Sequence, residues 1–428
     1  MDYNEALQYM KEAGRRGSIP GLTNIKNLLN ELNNPQEELR FIHISGTNGK
    51  GSTLAFISTI LEEAGYKTGR FISPIVNNYE EQFQINGKSI SKDNVTKYIN
   101  RIDDIVKNME KKGMDKPTVF EIETAIAFTY FNDEKCDIVT LETGMGGLLD
   151  ATNIIPSPVL TLIAPISMDH MNFLGNTLSE IAKHKAGIIK PGTYVVSAPQ
   201  PDEALSAIKE KCDNTKVNLK IVSEDDIKNV RYSIERTVFD YKEYKNLTIQ
   251  MLGFYQPANA ELALEGIHTL NNNGYRISKE AIMTGLSKAQ WMGRFQILRR
   301  KPLFVIDGAH NESGARALAD SIKFYFTNKR IIYIMGVLRD KEYDKIIKVM
   351  MPLASKVFTV TPNSDRALCG NELSHKIEKY GYKALYCDTI ADAVNRALNE
   401  ADREDVIVSF GSLSYLGEIF KIINRKSI

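Results

Sequence analysis

The segment His43-Ile-Ser-Gly-Thr-Asn-Gly-Lys-Gly-Ser-Thr53 gathers glycines, a lysine and hydroxyls in the pattern of a loop that cradles phosphate. Gly46, Gly49 and Gly51 allow the backbone to curl so that successive N–H groups face an anion. Lys50 reaches toward the outer phosphates of a nucleotide, and the Ser52 and Thr53 hydroxyls lie beside it, able to touch phosphate or a hard cation. The ordinary Walker spacing places a glycine five residues before Gly49, but Ile44 stands there, so the loop is a tighter variant.

Four further clusters carry chemistry. Leu141-Glu-Thr-Gly-Met-Gly-Gly-Leu-Leu-Asp-Ala-Thr-Asn153 begins at the end of an apolar run, and a carboxylate there, Glu142, suits Mg²⁺ or merely caps a turn. Ser167-Met-Asp-His170 follows the next apolar run; its histidine is a metal ligand or a satisfied structural residue. Lys183-His-Lys-Ala-Gly-Ile-Ile-Lys190 reads, from residue types alone, as a basic helix end favoured by the helix dipole. Val305-Ile-Asp-Gly-Ala-His-Asn311 repeats the strand-end arrangement, with Asp307 and His310 at a second edge and Trp291-Met-Gly-Arg-Phe295, carrying Arg294, just before it.

Positioning such groups takes strands that end in polar turns and helices that begin there. Strands are predicted at Arg40–Ser45, Asp137–Glu142, Val159–Ile163 and Thr193–Ser197, and helices at Ser52–Ala64, Thr118–Phe131 and Thr177–Ile188. This alternation predicts a doubly wound, mostly parallel α/β sheet. The polar, alternating stretch Arg231–Gln250 predicts a small antiparallel hairpin, followed by helices at Pro257–Asn272 and Ser278–Lys288. A second βα series has strands at Leu303–Asp307, Arg330–Met335, Lys356–Val360, Lys383–Cys387 and Asp405–Phe410. The expected division is a P-loop-type domain over residues 1–295 and a Rossmann-like α/β domain over residues 296–428, with the turn-like Arg299–Pro302 marking the boundary.

Composition narrows the function classes. The chain has 428 residues, with 54 Lys and Arg against 53 Asp and Glu, a net charge of +1. No global field draws it to nucleic acid or an anionic membrane, so any phosphate site is local. No apolar run is long enough for a membrane span. The N-terminus lacks a signal-peptide core, and Cys136, Cys212, Cys369 and Cys387 form no CxxC pair. These features predict a reducing, cytoplasmic setting with buried thiols; the protein is expected to be a monomer.

The loop Gly-Thr-Asn-Gly-Lys-Gly-Ser, with Gly51 and Ser52 after the lysine, resembles that of the folylpolyglutamate synthase/dihydrofolate synthase branch of the Mur ligase superfamily. Gly253-Phe-Tyr-Gln-Pro-Ala-Asn-Ala260 resembles another motif of that branch, with Tyr255 where histidine is usual. The resemblance implies ATP bound by Gly46, Thr47, Asn48, Gly49, Lys50, Gly51, Ser52, Thr53, Asn259, Arg294 and Asp307, with Asn259 at the adenine and Asp307 at the ribose. It implies two Mg²⁺ ions, with a monovalent cation as an option, held by Ser52, Ser73, Glu142, His170 and a CO₂-carbamylated Lys185. Lys50, Lys185, Arg294 and His310 are the implied catalytic residues, and Asp150, His310 and Ser412 the substrate contacts. The expected reaction joins L-glutamate to folate, and also to dihydropteroate, through an acyl phosphate. Another Mur-type amino-acid ligase, or a P-loop kinase or ATPase, is the alternative. Ile75 and Tyr79-Glu-Glu-Gln-Phe83 depart from the family's usual loop.

Overall fold

A computed structural model describes residues 1–17 and 21–425. The first sheet contains β1 (Phe41–Ser45), β2 (Thr68–Phe71), β3 (Phe83–Ile85), β4 (Lys88–Ser89), β5 (Ile138–Glu142), β6 (Leu160–Ile163), β7 (Tyr194–Ser197) and β8 (Leu219–Ile221). Its order is β4-β3-β2-β5-β1-β6-β7-β8, parallel except for the β2–β3–β4 edge. β1 lies at the middle and is buried throughout, which explains its unbroken FIHIS run.

The pleat sends alternate β1 residues to opposite faces. Ile42 and Ile44 join a core with the helices Lys50–Glu63, Gln256–Asn272 and Lys279–Lys288. Phe41 joins a separate core with the helices Tyr3–Gly14, Thr23–Glu31, Lys92–Lys111 and Val119–Asp133. Helices therefore cover both faces, and the strand ends that carry chemistry stay at one sheet edge. Thr118 caps the helix Val119–Asp133 and Thr177 caps Leu178–Ala186, each through a reciprocal capping box.

Several features differ from the sequence reading. β2 was not expected; Arg70 within it is buried, its charge met by Glu62 at 2.6 Å. The expected hairpin is a three-stranded antiparallel sheet of β9 (Ile227–Tyr232), β10 (Thr237–Tyr241) and β11 (Tyr244–Ile249). Arg299–Pro302 is not a break between folding units, because β12 (Gln296–Arg300) pairs antiparallel with β13 (Leu303–Ile306) inside the last sheet. That sheet also holds β14 (Ile331–Met335), β15 (Lys356–Thr359), β16 (Ala384–Tyr386) and β17 (Val406–Phe410), ordered β12-β13-β17-β14-β15-β16 and parallel apart from β12. All four cysteines are free; Cys136, Cys212 and Cys387 are buried as expected, but Cys369 is exposed. Among the described residues, no helix is long and apolar enough to cross a membrane.

Candidate active site

The phosphate loop joins β1 to the helix Lys50–Glu63. Gly49 sits at φ +88° as the residue before that helix, a conformation that disfavours side chains, and a Cβ there would collide with the Asn259 carboxamide. Thr47 pins the loop to the end of β6: its N–H donates to the Pro165 carbonyl (2.9 Å) and its hydroxyl to the Ser167 carbonyl (3.0 Å). Gly51 admits the Trp291 ring, whose Cε2 would lie 2.6 Å from a Cβ at that position. Ser52 and Thr53 are buried in the first helical turn, and the Thr53 hydroxyl points to the Asn259 carbonyl at 3.5 Å. Asn259 itself donates to Gln256 at 3.1 Å.

Lys50 Nζ lies 3.4 Å from the Thr47 carbonyl and 3.8 Å from Glu142 Oε1 at the end of β5. Burial raises the Glu142 carboxyl above its usual range, although Lys50, Arg294 and the Ser73 N–H favour the charged form. The neighbouring Ser73 hydroxyl is buried and has no hydrogen-bond partner. An under-compensated carboxylate beside an unsatisfied hydroxyl is a donor set that fits a hard cation. Among the described residues, no three His, Cys, Asp or Glu side chains converge as a metal cage.

Lys185 is buried, and its Nζ donates to the Gly46 carbonyl at 2.7 Å. Burial, with Lys50 and Lys341 adding to it against Asp169 and Asp150, lowers its pKa to about 7. Lys183, His184 and Lys185 do lie in the last turn of the helix Leu178–Ala186, as their residue types suggest, and Lys185 is in addition a buried amine facing the phosphate loop. His170 holds a left-handed backbone (φ +52°) at the start of the short helix Met171–Leu174. Burial, with Lys341, His310 and Lys185 adding to it against the pull of Asp169, lowers the pKa of its ring to about 4.

The C-terminal sheet brings its own strand-end groups to the same place. Asp307 follows β13; its carboxylate accepts from the Tyr255 hydroxyl (2.9 Å) and from the N–H groups of Phe295 and Ala309 (2.8 Å each). His310 Nδ1 lies 2.8 Å from the Gly308 carbonyl, which can only accept, so Nδ1 is the donor. His310 Nε2 stands 3.6 Å from Asp169 Oδ2. Arg294 lies close enough to Glu142 and Asp307 to favour both charged forms. Asp150 is buried and turned into its own loop, accepting from the Met145 N–H (2.7 Å) and the Thr152 hydroxyl (2.5 Å). Ser412 follows β17, beside Gly411, whose N–H donates to the Ala309 carbonyl (2.9 Å), and its hydroxyl pairs with Ser414 (2.8 Å).

Sequence reasoning missed the groups that join the two halves. Asp169 pairs with Lys341 at 2.6 Å and accepts from Asn311 at 3.0 Å, while Asn311 and Asn48 exchange amide bonds. Asp169 and Asn311 lie in motifs read above, but from the sequence nothing singled them or Lys341 out from their neighbours. A cavity of about 590 Å³ opens at this junction, walled by Met145, Met168 and Phe173 on one side and by Arg339, Lys341 and Arg366 on the other.

A phosphate loop on one α/β unit, facing the strand ends of a second, defines a Mur-type ligase. Consistent with this, the Mur ligase middle domain matches residues 44–266, and the Mur ligase glutamate ligase domain matches residues 293–413. A dihydrofolate synthase/folylpolyglutamate synthase of Bacillus subtilis is 34% identical over 98% of both chains. A dihydrofolate synthetase of Saccharomyces cerevisiae is 32% identical over 94% of this chain and 98% of its own. A solved Mycobacterium tuberculosis folylpolyglutamate synthase complexed with ADP superposes with a TM-score of 0.90 at 27% identity, covering 99% of both chains. A folylpolyglutamate synthase complex with AMPPCP and folate superposes at 0.85 and 26% identity, covering 98% of both. The chain belongs to the folylpolyglutamate synthase/dihydrofolate synthase family.

Proposed function

We propose that this protein is an ATP-dependent acid–amino-acid ligase that adds L-glutamate to a folate and to dihydropteroate. The observation that carries the reading is the meeting of Lys50, Glu142 and Lys185 on one half with Asp307 and His310 on the other. A P-loop kinase or ATPase accounts for the phosphate loop and for an arginine at the phosphates, but not for Lys185, Asp307 and His310 together.

A carboxylate is a poor electrophile, because its leaving group would be oxide or hydroxide. Attack of a substrate carboxylate oxygen on the γ-phosphorus of ATP releases ADP and leaves an acyl phosphate. The α-amino group of glutamate then attacks the acyl carbon, loses a proton and expels phosphate, so that the amide forms. Lys50 and Arg294 stabilise the charge that develops on the phosphoryl oxygens. His310, with Nδ1 tied to Gly308, presents Nε2 as the basic nitrogen for the departing proton. Ser52, Ser73 and Glu142 would hold one Mg²⁺, and His170 with a carbamylated Lys185 a second; a monovalent cation is optional. Bound there, the ions neutralise phosphate charge. Asn259 and Asp307 serve the nucleoside, and Asp150 and Ser412 the pterin acid and the amino acid. The division of labour falls at about residue 295, and the working form is a monomer in the cytoplasm.

The test is ADP release from the full chain with ATP and Mg²⁺, with and without glutamate, across a panel of pterin acids. The reading expects release that requires both glutamate and a pterin acid, with a glutamylated product by mass. ADP release indifferent to glutamate would assign a kinase or ATPase instead.

A further inference from the structure

We propose that Asn311 is a positioning residue that couples the phosphate loop to His310, one carboxamide joining Asn48 and Asp169 to the start of the helix Glu312–Tyr325. The proposal rests on the ligase reading above for its kinetic test, but its geometry stands alone.

Asn311 is 4% exposed, and its side-chain amide makes four contacts with the protein. Its Oδ1 accepts from the Gly314 N–H (2.8 Å), capping the helix, and from Asn48 Nδ2 (3.1 Å). Its Nδ2 donates to Asn48 Oδ1 (3.2 Å) and to Asp169 Oδ2 (3.0 Å). The cap alone does not call for asparagine, because serine or aspartate would accept from Gly314 equally well. The reciprocal bond to Asn48 does, since each partner must both donate and accept through one planar group.

The consequence lies on either side of the bond. Asn48 sits between Thr47, which is fastened to Pro165 and Ser167, and Gly49, which starts the lysine-bearing helix. Asn311 directly follows His310, whose ring is fixed by Gly308 and faces Asp169, the same carboxylate that Asn311 grips. A shift of the loop on phosphates is therefore passed to His310 through a reciprocal, part-buried amide pair in which Asn311 has both of its N–H donors and both of its acceptor positions filled.

The experiment is a double-mutant cycle in the full chain with Asn48→Ala and Asn311→Ser, the serine keeping the cap. The readouts are kcat, the KM values for ATP and glutamate, and the thermal midpoint. The proposal expects Asn311→Ser to lower kcat by about 10- to 100-fold, the scale of a small misplacement at a reacting centre, with both KM values within about 3-fold. It expects Asn48→Ala to cost about tenfold less in the Asn311→Ser background than in the wild type. Effects that simply multiply, or a wild-type kcat, would overturn it. Should the serine variant not fold, Asn311→Asp keeps the cap and loses the donor, and the same outcomes decide. Amide exchange across Gly46–Gly51 separates the two readings: it should speed up in the folded variant whatever the reaction is. Unchanged exchange overturns the coupling even if the ligase reading holds, and faster exchange without glutamate-dependent turnover leaves the coupling standing and removes the ligase reading.

Discussion

Replacing Lys341 by methionine should destabilise the protein by an amount set by the company Asp169 keeps. The two charges are 2.6 Å apart, with both side chains only 7% exposed. Burial works against the Asp169 charge, but His310, Lys341 and His170 beside it hold its carboxyl well below the usual range. Removing one partner of a buried pair typically costs about 3–5 kcal/mol, because the other charge is left without compensation. Here Asn311 and the histidine rings remain, so the lower end, about 3 kcal/mol, is expected. With roughly 2.1 cal/mol/K of unfolding entropy per residue, a 428-residue chain unfolding as one unit loses about 3 °C in Tm. Scanning calorimetry at neutral pH measures this, and the loss should persist in high salt, since buried charges are screened little. Adding Asp169→Asn to Lys341→Met removes the orphaned charge and should restore part of the loss. A Lys341→Met protein as stable as the wild type, or a double variant no better than the single, would refute the reasoning.

Two further outcomes are expected. Incubation with ¹³C-bicarbonate should give a carbamate carbon signal that Lys185→Ala lacks, and the nearly inactive Lys185→Ala enzyme should be partly rescued by acetate; a bare lysine in the metal-loaded, active enzyme would contradict this. His43 is fully buried, and burial lowers its pKa to about 3 from 6.5, so the unfolded chain binds this proton first as pH falls. Stability from this residue is therefore complete above pH 6.5 and lost toward pH 3, at about 1.4 kcal/mol per pH unit. Urea titrations between pH 7 and pH 4 should show a shallower acid loss for His43→Gln, and equal slopes would exclude the assignment.

What could be read in the sequence was whatever the chain concentrates locally. The loop from Gly46 to Thr53, Glu142 at the end of β5 and Asp307 after β13 each sit where an apolar run meets a polar turn, and one window of residues contains the whole signal. β2 was hidden because Thr68-Gly-Arg-Phe71 is short and polar; its burial depends on Glu62 from another element neutralising Arg70. The third strand of the small sheet was hidden because Ile227–Tyr232 exposes three of its six residues. Asp169, Asn311 and Lys341 were hidden for a different reason. Their partners lie 142 and 172 positions away in the chain, so their meaning exists only once two sheets face each other.

That contrast also sorts the charged groups by role. Asp169 is over-supplied with partners inside the protein, and its charge is favoured as the chain stands. Glu142 and Lys185 are the reverse: burial disfavours the charged form of each, and the protein groups around them do not make up the difference. A protein built for stability alone gains nothing by burying charges it leaves under-compensated. In the proposed reaction a cation would supply what Glu142 lacks, and CO₂ would turn the Lys185 amine into an anionic oxygen donor. Asp169 with Lys341 is then the joint that holds the halves in register, while Glu142 and Lys185 are the positions whose energetics make sense only with substrates bound.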